Sequence, residues 1–287
     1  MKIGIGLPST IPGTPGPLIM EWARRAEERG FSSLAIIDRI VFPSYDSLIA
    51  LAAAGAVTER IGLLTNILVA PARNPIMLAK EVASVDQISG GRLTLGLAVG
   101  GREDDFQATG QEFKGRGARL DRDLELMHRA WKGEHVTDSP QPVTPHPTRP
   151  EGVPILVGGN SEATLRRMVR WGTGWTVGGA PLDMVRPFVP RVRDAWKEAG
   201  REGNPRLVAL GYFGLGPDAD AGIAAYIGDY YAYLGPWAQG ISQGAPRTPE
   251  TLKATLKGFE DAGFDEFIWN PTIPQLAQVD LLADIVL

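Results

Sequence analysis

The sequence predicts a (β/α)8 TIM barrel with an insertion after strand seven. Three observations lead to this prediction: eight short apolar runs alternate with longer amphipathic segments, the runs are rich in Ile, Leu and Val, and the chain has 287 residues. Strands of a parallel sheet are buried on both faces and give such runs, and an α/β barrel typically needs about 250 residues. We expect a single domain over residues 1–287; a doubly wound open sheet is the alternative fold.

The apolar runs predict eight strands in chain order. They span residues 2–8, 33–38, 61–68, 93–100, 154–159, 174–179, 207–213 and 266–270. The helices predicted between them span residues 17–30, 44–60, 74–91, 116–133, 162–171, 181–200 and 248–263. Gly30 and Gly90 suit the turn after a helix, and Pro75 suits a first helical position. This alternation favours the barrel.

Two stretches depart from the alternation. Residues 138–150 contain five prolines, a density that excludes a helix or a central strand. Residues 216–246, after strand seven, exceed a simple turn and include an aromatic-rich helical pattern. We interpret this insertion as a lid or an oligomer contact, with an ordinary packed outer helix as the alternative.

Composition and charge exclude several classes of function. Hydrophobic residues make up 44% of the chain, and the net charge of -4 favours neither nucleic acid nor an anionic membrane as a partner. The absence of cysteine excludes a disulfide framework, a thiolate metal site and a cysteine nucleophile. Pro8 interrupts the apolar start, which lacks the features of a signal peptide, and no apolar run is long enough for a membrane span. We therefore expect a cytoplasmic location.

Active sites of TIM barrels lie at the carboxyl ends of the strands. Applied to this chain, that rule gives a set of residues dominated by glycine and small polar side chains. They are Pro8, Ser9, Asp38, Arg39, Thr65, Asn66, Gly100 to Glu103, Gly158 to Ser161, Gly178, Gly179, Tyr212, Phe213 and Asn270. Glycines let a planar or phosphorylated ligand approach the backbone closely, which indicates that a bound cofactor supplies the chemistry.

Histidine and lysine are missing from the strand ends. His128, His135 and His146 fall in a helical pattern and in the loop region after it, and their spacing is not that of metal ligands. The seven lysines fall at strand starts or on helices, which disfavours a Schiff-base aldolase. We therefore predict no metal site and structural roles for the histidines. An isomerase or aldolase with a phosphorylated substrate is disfavoured for the same reason.

Two glycine pairs at neighbouring strand ends predict a phosphate site. Gly158-Gly159-Asn160-Ser161 leads from strand five into a helix for which Ser161 is a suitable N-cap. The first amides of that helix are then free, and the helix dipole favours an anion beside them. Gly178-Gly179 follows strand six, which is next to strand five in a barrel. Both pairs together favour a bound phosphate over glycines that serve only the turns.

Several segments resemble the bacterial luciferase-like superfamily of flavin- and deazaflavin-dependent oxidoreductases. The most specific is the long stretch from "ERIGLLTNIL" to "GGREDDFQATG" (59–110), and "GFSSLAIIDRI" (30–40) and "PILVGGNSEATLRRMVRWGTGW" (154–175) are similar to the superfamily as well. The resemblance covers most of the chain. It implies a TIM barrel with an insertion between late strands, and a reduced flavin or deazaflavin across the barrel mouth.

The resemblance implies cofactor-binding residues position by position. Asn66 and Ile67 match a bulge in strand three, where members often have a non-proline cis peptide bond that supports the middle of the isoalloxazine ring. Val99 and Gly100 match the end of strand four beside the flavin. The turn from Gly158 to Ser161 matches the phosphate-binding turn, which Gly178 and Gly179 complete.

Asp38 and Arg39 are the candidate catalytic residues. They match a strand-two pair in which several members carry histidine at the second position as an acid/base. Arg39 is permanently cationic and a poor proton donor, so the chain departs from that pattern here. Arg39 either holds a negative charge on the reduced cofactor or on an anionic substrate, or it forms a structural salt bridge.

The segment "GGREDDF" (100–106) combines two kinds of charged residue. Arg102 is a candidate ligand, together with Glu103, whereas Asp104 and Asp105 are expected to be solvated at a helix start. Arg102, Arg166 and Arg167 are also candidates for a basic path to the acidic tail of a deazaflavin, although a solvated helix face is the favoured explanation for them. The sequence leaves these assignments open.

The superfamily offers two chemistries. Reduced FMN with O2 gives monooxygenation in a dry pocket, and a deazaflavin transfers hydride to a substrate beside it. Four apolar or aromatic candidates for the pocket suit either chemistry: Leu68, Trp175, Tyr212 and Phe213. We favour a monooxygenase that uses reduced FMN on a small organic substrate, with a separate flavin reductase and a homo-oligomeric state as further expectations. The alternatives are an oxidoreductase that uses the 8-hydroxy-5-deazaflavin coenzyme, and a non-catalytic flavin-binding barrel.

Overall fold

Eight parallel strands form a closed barrel in the computed structural model, with neighbours in sequence order and β1 paired to β8. The strands are β1 (Lys2–Gly6), β2 (Ser33–Ile36), β3 (Gly62–Val69), β4 (Leu93–Ala98), β5 (Ile155–Gly158), β6 (Gly174–Gly178), β7 (Arg206–Phe213) and β8 (Glu266–Pro271). The structure describes the backbone of residues 1–287 and the side chains of all of them except Pro236 and Trp237. The predicted (β/α)8 barrel is confirmed, and each strand overlaps the apolar run that predicted it.

Twelve α-helices lie along the chain. They are α1 (Gly16–Arg29), α2 (Ser47–Ala56), α3 (Pro75–Ile88), α4 (Glu103–Ala108), α5 (Arg116–Trp131), α6 (Glu162–Trp171), α7 (Leu182–Val185), α8 (Phe188–Glu198), α9 (Ala219–Tyr230), α10 (Pro236–Gly244), α11 (Pro249–Asp261) and α12 (Ala277–Val286). The helix predicted over 181–200 is divided into α7 and α8 at Pro187, because proline lacks the amide that a continuous helix needs. The sequence did not predict α12.

Local side-chain chemistry explains several helix ends. The Asp46 carboxylate accepts the amides of the first turn of α2, and Asn74 does the same for α3, which then starts at Pro75. Gly30 ends α1 with a φ of 89°, in the left-handed region that favours glycine. Ser161 and Thr164 form a capping box at the start of α6. The ends of α1, α3 and α6 thus follow the sequence signals.

Two apolar layers hold the barrel together. The larger layer lies between the strands and the helices and includes Trp22 and Trp175. The smaller layer fills the barrel interior with residues such as Leu64 and Ile268, and it continues into α9 through Ile223. Because successive side chains of a strand point to opposite faces, β2, β3, β5, β7 and β8 contribute to both layers.

A buried ionic cluster occupies the amino-terminal end of the barrel. Glu266, the first residue of β8, accepts hydrogen bonds from Ser32 at 2.5 Å, Ser33 at 2.7 Å and Arg206 at 2.5 Å. Burial raises the pKa of Glu266, but the Arg206 guanidinium and the two serine hydroxyls more than offset that effect, so the pKa lies below its usual value. This cluster joins β8, β7 and the start of β2.

The chain between β7 and α11 covers part of the opposite end of the barrel. It consists of α9, a short 3-10 helix (Ala232–Leu234) and α10, and we call residues 214–248 the inserted segment. Residues 138–150 run before β5 as turns and bends, without helix or strand in the described backbone. Among the helices that the structure describes, none combines the length and apolar character required to cross a bilayer.

Candidate active site

A cavity of about 240 Å³ lies at the carboxyl ends of the strands, beside the inserted segment. We call it the mouth cavity. Six of the residues predicted as catalytic or cofactor-binding border it: Asp38, Arg39, Asn66, Ile67, Gly100 and Gly178. The ends of β2, β3, β4 and β6 bring them together, as expected from the common direction of the strands.

Asp38 is buried, and protein donors occupy both of its carboxylate oxygens. Oδ1 accepts hydrogen bonds from Ser47 Oγ and Arg73 Nη2, each at 2.8 Å, and Oδ2 accepts one from the Val69 amide at 2.9 Å. These contacts tie the end of β2 to the start of α2 and to the end of β3. Asp38 therefore fixes the wall of the mouth cavity.

Arg39 is also buried and lies in an ion-paired network. Its Nε donates to Asp105 Oδ2 at 2.9 Å, and its Nη2 donates to Asp104 Oδ2 at 2.9 Å and to the Val41 carbonyl at 3.0 Å. The salt bridge considered from the sequence is thus present. Arg39 still borders the mouth cavity, so its cationic side chain lies beside any ligand there.

The prediction that Asp105 is solvated is wrong, whereas Asp104 is half-exposed as expected for a helix start. Asp105 is only 1% exposed. Besides its contact with Arg39, it accepts hydrogen bonds from the amides of Ile40 at 2.9 Å and Val41 at 2.8 Å. The carboxylate is buried because it holds the loop after β2 in place, and its partners lie more than sixty residues earlier in the chain.

Asn66 carries a buried hydrogen-bond donor without a protein partner. The Asn66–Ile67 peptide bond is cis, and the register between β3 and β4 shifts between Thr65 and Leu68. Asn66 Oδ1 accepts a hydrogen bond from Thr176 Oγ1 at 2.7 Å, which orients the amide. Asn66 Nδ2 has no partner among the described residues. A buried donor in this position requires a ligand or solvent acceptor.

The end of β4 requires glycine at one position. Gly100 has a φ of 71°, and a Cβ there would lie 2.5 Å from Val69 Cγ1. The Gly100 carbonyl accepts a hydrogen bond from Arg116 Nε at 3.0 Å. Val99 is half-buried against the layer between barrel and helices and, within the described side chains, does not border the mouth cavity. Only Gly100 of this predicted pair therefore lies at the cavity itself.

The turn after β5 lies beside the mouth cavity and is held by its own contacts. A Cβ on Gly158 would lie 3.2 Å from Ile67 Cγ2, so the end of β5 is in close contact with the Ile67 side chain of β3. Gly159 has a φ of 113°, and its carbonyl accepts a hydrogen bond from Trp175 Nε1 at 2.6 Å. Ser161 caps α6 by accepting the Thr164 amide. The exposed Asn160 completes the turn.

Of the second glycine pair, only Gly178 borders the mouth cavity, and Gly179 lies in the turn that follows β6. Gly178 faces open space, since a Cβ there would approach Leu210 at no less than 3.8 Å. Gly179 has a φ of 68°, and a Cβ there would lie 2.6 Å from the Tyr231 hydroxyl. The tyrosine therefore lies directly over this turn.

Four tyrosines form one side of the mouth cavity, and we call them the tyrosine wall: Tyr212, Tyr230, Tyr231 and Tyr233. The hydroxyls of Tyr212 and Tyr231 share a hydrogen bond of 2.7 Å. Burial raises the pKa of Tyr212, Tyr230 and Tyr231, so their phenols are neutral at physiological pH. The wall therefore presents aromatic surface and neutral hydroxyls to the cavity.

Some residues of the candidate site were not identified from the sequence. Arg73 is the partner of Asp38, and it also reaches Asp46 at 3.0 Å. The three tyrosines of the inserted segment were noted only as an aromatic-rich helix, since no spacing rule shows which rings face the barrel. An acidic residue at a strand end signals a cationic partner in general, but not which arginine supplies it.

Three of the proposed pocket residues lie elsewhere. Leu68, Trp175 and Phe213 are buried in the layer between strands and helices, with Trp175 packed on Phe188. They project from the outer face of the barrel, so their prediction as pocket residues is wrong. Tyr212 does border the mouth cavity.

The structure also shows where Arg167 and His128 lie. Arg167 is buried and pairs with Asp121 at 2.6 Å, away from the cavity. His128 Nδ1 donates to the Leu124 carbonyl at 2.8 Å, and the ring packs against Trp131, which is a structural position. Within the described residues, no group of three His, Cys, Asp or Glu side chains has the arrangement of a metal site.

The described geometry fits a planar cofactor. Asn66, whose Nδ2 has no partner among the described residues, borders the mouth cavity together with Gly100 and Gly178, where a side chain would be crowded or would narrow the cavity. The carboxylates of the cavity, Asp38 and Asp105, are occupied by protein donors. These residues can bind and orient a ring system, and they leave the electron transfer to that group.

Comparison of the sequence with protein families gives a match over residues 1–268 to the family described as luciferase-like monooxygenase. An uncharacterised protein of Mycobacterium tuberculosis is 31% identical over 208 residues, which are 62% of this chain and 71% of the relative. An F420-dependent glucose-6-phosphate dehydrogenase of Nakamurella multipartita is 32% identical over 199 residues, 64% of this chain and 59% of the relative.

Two solved structures share the whole fold. Monooxygenase RslO1 from Streptomyces bottropensis superposes with a TM-score of 0.84 at 22% identity, over 100% of this chain and 98% of the other. An F420-dependent secondary alcohol dehydrogenase with a bound F420-acetone adduct has a TM-score of 0.80 at 17% identity, over 99% and 98% of the chains. At these identities the likeness concerns the barrel architecture.

Proposed function

The chain belongs to the luciferase-like monooxygenase family, and we propose that it is a flavin-dependent oxidoreductase that uses reduced FMN and O2 to oxygenate a small organic substrate. One observation favours oxygenation over a reaction that needs a protein base. The carboxylates that border the mouth cavity are both engaged by protein donors, and no histidine or lysine borders it among the described residues. A reaction that depends on a protein base is therefore disfavoured, whereas oxygenation obtains its reactivity from the cofactor.

The cofactor would be held by residues from four strand ends. Asn66, Ile67 and Gly100 would hold the ring system, with Asn66 Nδ2 as a hydrogen-bond donor to it. Val99, although set back from the cavity, would support the Gly100 backbone. Bound reduced FMN supplies two electrons, with which one oxygen atom of O2 enters the substrate and the other leaves as water.

The phosphate would lie between the two glycine turns. The free amides at the start of α6, after Ser161, and the dipole of that helix favour an anion at this end. Gly158, Gly159 and Asn160 keep the approach open, and Gly178 and Gly179 form the facing turn. This arrangement is shared by FMN and the deazaflavin coenzyme, since both end their ribityl chain in a phosphate.

Asp38, Arg39 and the tyrosine wall would have different tasks. Asp38 positions the ends of β2 and β3. Arg39 brings a positive charge to the cavity and so favours an anionic reduced cofactor or an anionic substrate. The tyrosine wall excludes water from the reacting face, which protects an oxygen-activating site from side reactions.

Cofactor titration tests this proposal. The protein is titrated with FMN and separately with F420, followed by absorbance and fluorescence; binding of FMN at micromolar concentration is expected. The complex is then reduced without oxygen and mixed with O2, and oxygen consumption coupled to a hydroxylated or lactonised product is expected. Failure to bind either cofactor would contradict the cofactor assignment, and binding without any turnover would favour a non-catalytic flavin-binding barrel.

Hydride transfer with the deazaflavin coenzyme is the second candidate. It is favoured by the relative of Nakamurella multipartita, which is named an F420-dependent dehydrogenase and is 32% identical over its matched part. Tight binding of F420 with weak binding of FMN, and turnover that does not require O2, would establish this candidate in place of oxygenation.

We also propose a separate flavin reductase as electron donor and a homo-oligomeric state. The aromatic stretch 226–237 was considered as an interface, and the side chains of Pro236 and Trp237 in it lie outside the described residues. Tyr233 is exposed on this stretch. Light scattering after size-exclusion chromatography, with and without a Tyr233→Ser substitution, measures whether the stretch contributes to an oligomer.

A further inference from the structure

Arg102 lies where the loop after β4 meets the inserted segment. Its guanidinium carbon is 4.4 Å from the ring centre of Tyr230 and 4.2 Å from that of Tyr233. Nη2 donates to the Tyr230 carbonyl at 2.5 Å. On one side the residue borders the mouth cavity, and on the other it borders an outer cleft that Arg39 and Asp229 also line. Arg102 is thus placed at the opening between protein interior and solvent.

The two arginines of the mouth cavity differ in their charge balance. Arg39 has carboxylate oxygens of Asp104 and Asp105 at 2.9 Å. Within the described side chains, no carboxylate oxygen lies within 4.0 Å of an Arg102 nitrogen. Glu103 and Asp229 share the outer cleft with Arg102, but both are exposed, so water and salt screen their charges. Arg102 therefore carries the positive charge that is not neutralised by a close ion pair.

Hydrogen bonding at Arg102 is incomplete as well. A guanidinium offers five N–H donors in a planar fork, and the contact with the Tyr230 carbonyl uses one of them. Nε is buried and has no partner among the described residues. Burial would lower the pKa of Arg102, but the surrounding tyrosines raise it, so the group stays protonated. The neutral phenols of Tyr230 and Tyr231 do not supply the negative charge that this fork fits best.

We propose that Arg102 is the binding residue for a carboxylate-type anion of the ligand, and that the substrate of this protein is an organic acid bound with its anionic end at Arg102. The reacting carbon then lies deeper in the mouth cavity, toward Asn66 and Ile67. The tyrosine wall contacts the apolar part of the acid. The role in substrate selection rests on the proposed oxidoreductase function, whereas the anion site itself does not depend on it.

A matched pair of probes tests the anion site without any cofactor. Benzoate and benzamide have nearly the same shape and differ in charge, so their binding to the cofactor-free protein is measured by calorimetry. Benzoate is expected to bind about tenfold to a hundredfold more tightly than benzamide, in keeping with a charge-assisted hydrogen bond of about 1.5–3 kcal/mol. The Arg102→Gln variant is expected to lose this preference, and Arg102→Lys to keep part of it.

Arg170→Gln is the control. Arg170 also lies over an aromatic ring, that of Trp171, but unlike Arg102 it pairs with an acid and is exposed on α6. The Arg170→Gln variant should leave the preference for benzoate over benzamide unchanged. Thermal unfolding of each variant checks that the fold is retained. Equal affinity for the two probes in the wild type, no binding of either, or an unchanged preference in Arg102→Gln would overturn the proposal.

The anion could also come from the acidic tail of a deazaflavin coenzyme, and two further arms separate the sources. In the first arm, the affinities of wild type and Arg102→Gln for F420 are compared with their affinities for its tail-free chromophore. In the second arm, benzoate binding is measured again with FMN bound. If benzoate still binds beside FMN and Arg102→Gln weakens both deazaflavins equally, the acid is the substrate. If Arg102→Gln weakens only F420, the site belongs to the cofactor tail and the substrate assignment is wrong. A failure of FMN to bind would contradict the proposed function but leaves the benzoate result standing.

Discussion

Glu266 at the amino-terminal end of the barrel and Asn66 at its carboxyl end are both buried polar residues, but their surroundings differ. Glu266 receives hydrogen bonds from Ser32, Ser33 and Arg206. Asn66 Nδ2 has no partner among the described residues, and the same holds for Ser9 Oγ at the same end of the barrel. A buried polar group without a partner costs about 1–3 kcal/mol. One end thus stabilises the fold, and the other retains unused hydrogen-bonding capacity for a ligand.

The largest expected effect is on the stability of the amino-terminal end. Glu266→Ala removes one partner of a buried ion pair and leaves Arg206 and two serine hydroxyls without their acceptor. The free energy of unfolding should fall by about 3 kcal/mol, at the lower end for buried pairs because Arg206 is partly exposed. Urea unfolding followed by tryptophan fluorescence measures it, and a loss below about 1 kcal/mol would contradict this account of the cluster.

Acidification provides the control for the ionic part of that effect. The pKa of Glu266 in the folded protein lies below its usual value of 4.5. A carboxylate with a depressed pKa contributes stability above its unfolded-state pKa, and this contribution is lost as the pH falls through the folded-state pKa. The stability difference between wild type and Glu266→Gln should therefore be largest above about pH 5 and shrink below about pH 4. A constant difference would indicate a packing effect only.

The next effect concerns affinity at the carboxyl end. Gly178→Asp places a carboxylate at the rim where we propose the cofactor phosphate, and a Cβ fits there without a clash. The Kd for FMN should rise about tenfold to a hundredfold, because two negative charges are brought together. Gly178→Ala, the steric control, should change it much less. Equal Kd values for the two variants would argue against a phosphate at this turn.

A smaller effect is expected at Asn66. Asn66→Ala removes the free donor, and the Kd for FMN should rise about fivefold to tenfold, the size of one hydrogen bond. Thr176→Val serves as the comparison, since it removes the hydroxyl that orients the Asn66 amide and retains Nδ2. Both variants should lose about 1 kcal/mol of stability, but Asn66→Ala should weaken FMN binding more. Isothermal titration of both variants measures the difference.

The smallest expected effect is that of Ser9→Ala, which is compared with the same serine-to-alanine substitution at the other end of the barrel. Ser9→Ala removes a buried hydroxyl without a partner, so the free energy of unfolding should change by less than about 0.5 kcal/mol or rise slightly. Ser33→Ala removes a hydroxyl bound to Glu266 at 2.7 Å and should cost about 2 kcal/mol, because that bond involves a charged acceptor. Chemical denaturation of the two variants checks this. Equal losses would mean that the ends do not differ.

Much of the fold could be predicted because parallel strands are buried on both faces. The strand predicted over 207–213 forms Arg206–Phe213, and the one over 93–100 forms Leu93–Ala98. The helix Ala277–Val286 was missed since it is short and has no side-chain N-cap to mark its start. Pro187 and Pro190 lie inside the helix predicted over 181–200, which the structure divides at Pro187.

Residues of the candidate site could be predicted where their position at the end of a strand was enough to identify them. Asp38, Asn66 and Gly178 were found because strand ends meet at one rim of a barrel. Long-range partners could not be found in that way: Asp105 is buried by Arg39, 66 residues earlier, and Arg102 is covered by Tyr230, 128 residues later. Local patterns carry no information about such pairs, so Asp105 was expected in solvent.

The two ends of the inserted segment lie side by side. The Gly214 amide donates to the Pro246 carbonyl at 3.4 Å, and side-chain hydrogen bonds from the segment to the barrel include those of Tyr226 with Thr10 and of Tyr231 with Tyr212. A stretch with adjacent ends can be exchanged as a cassette, as domain insertions are tolerated at such junctions. A transplant of this one contiguous unit is therefore expected to exchange Tyr230, Tyr231 and Tyr233 together, while Tyr212 on β7 and the strand ends that border the mouth cavity stay in place.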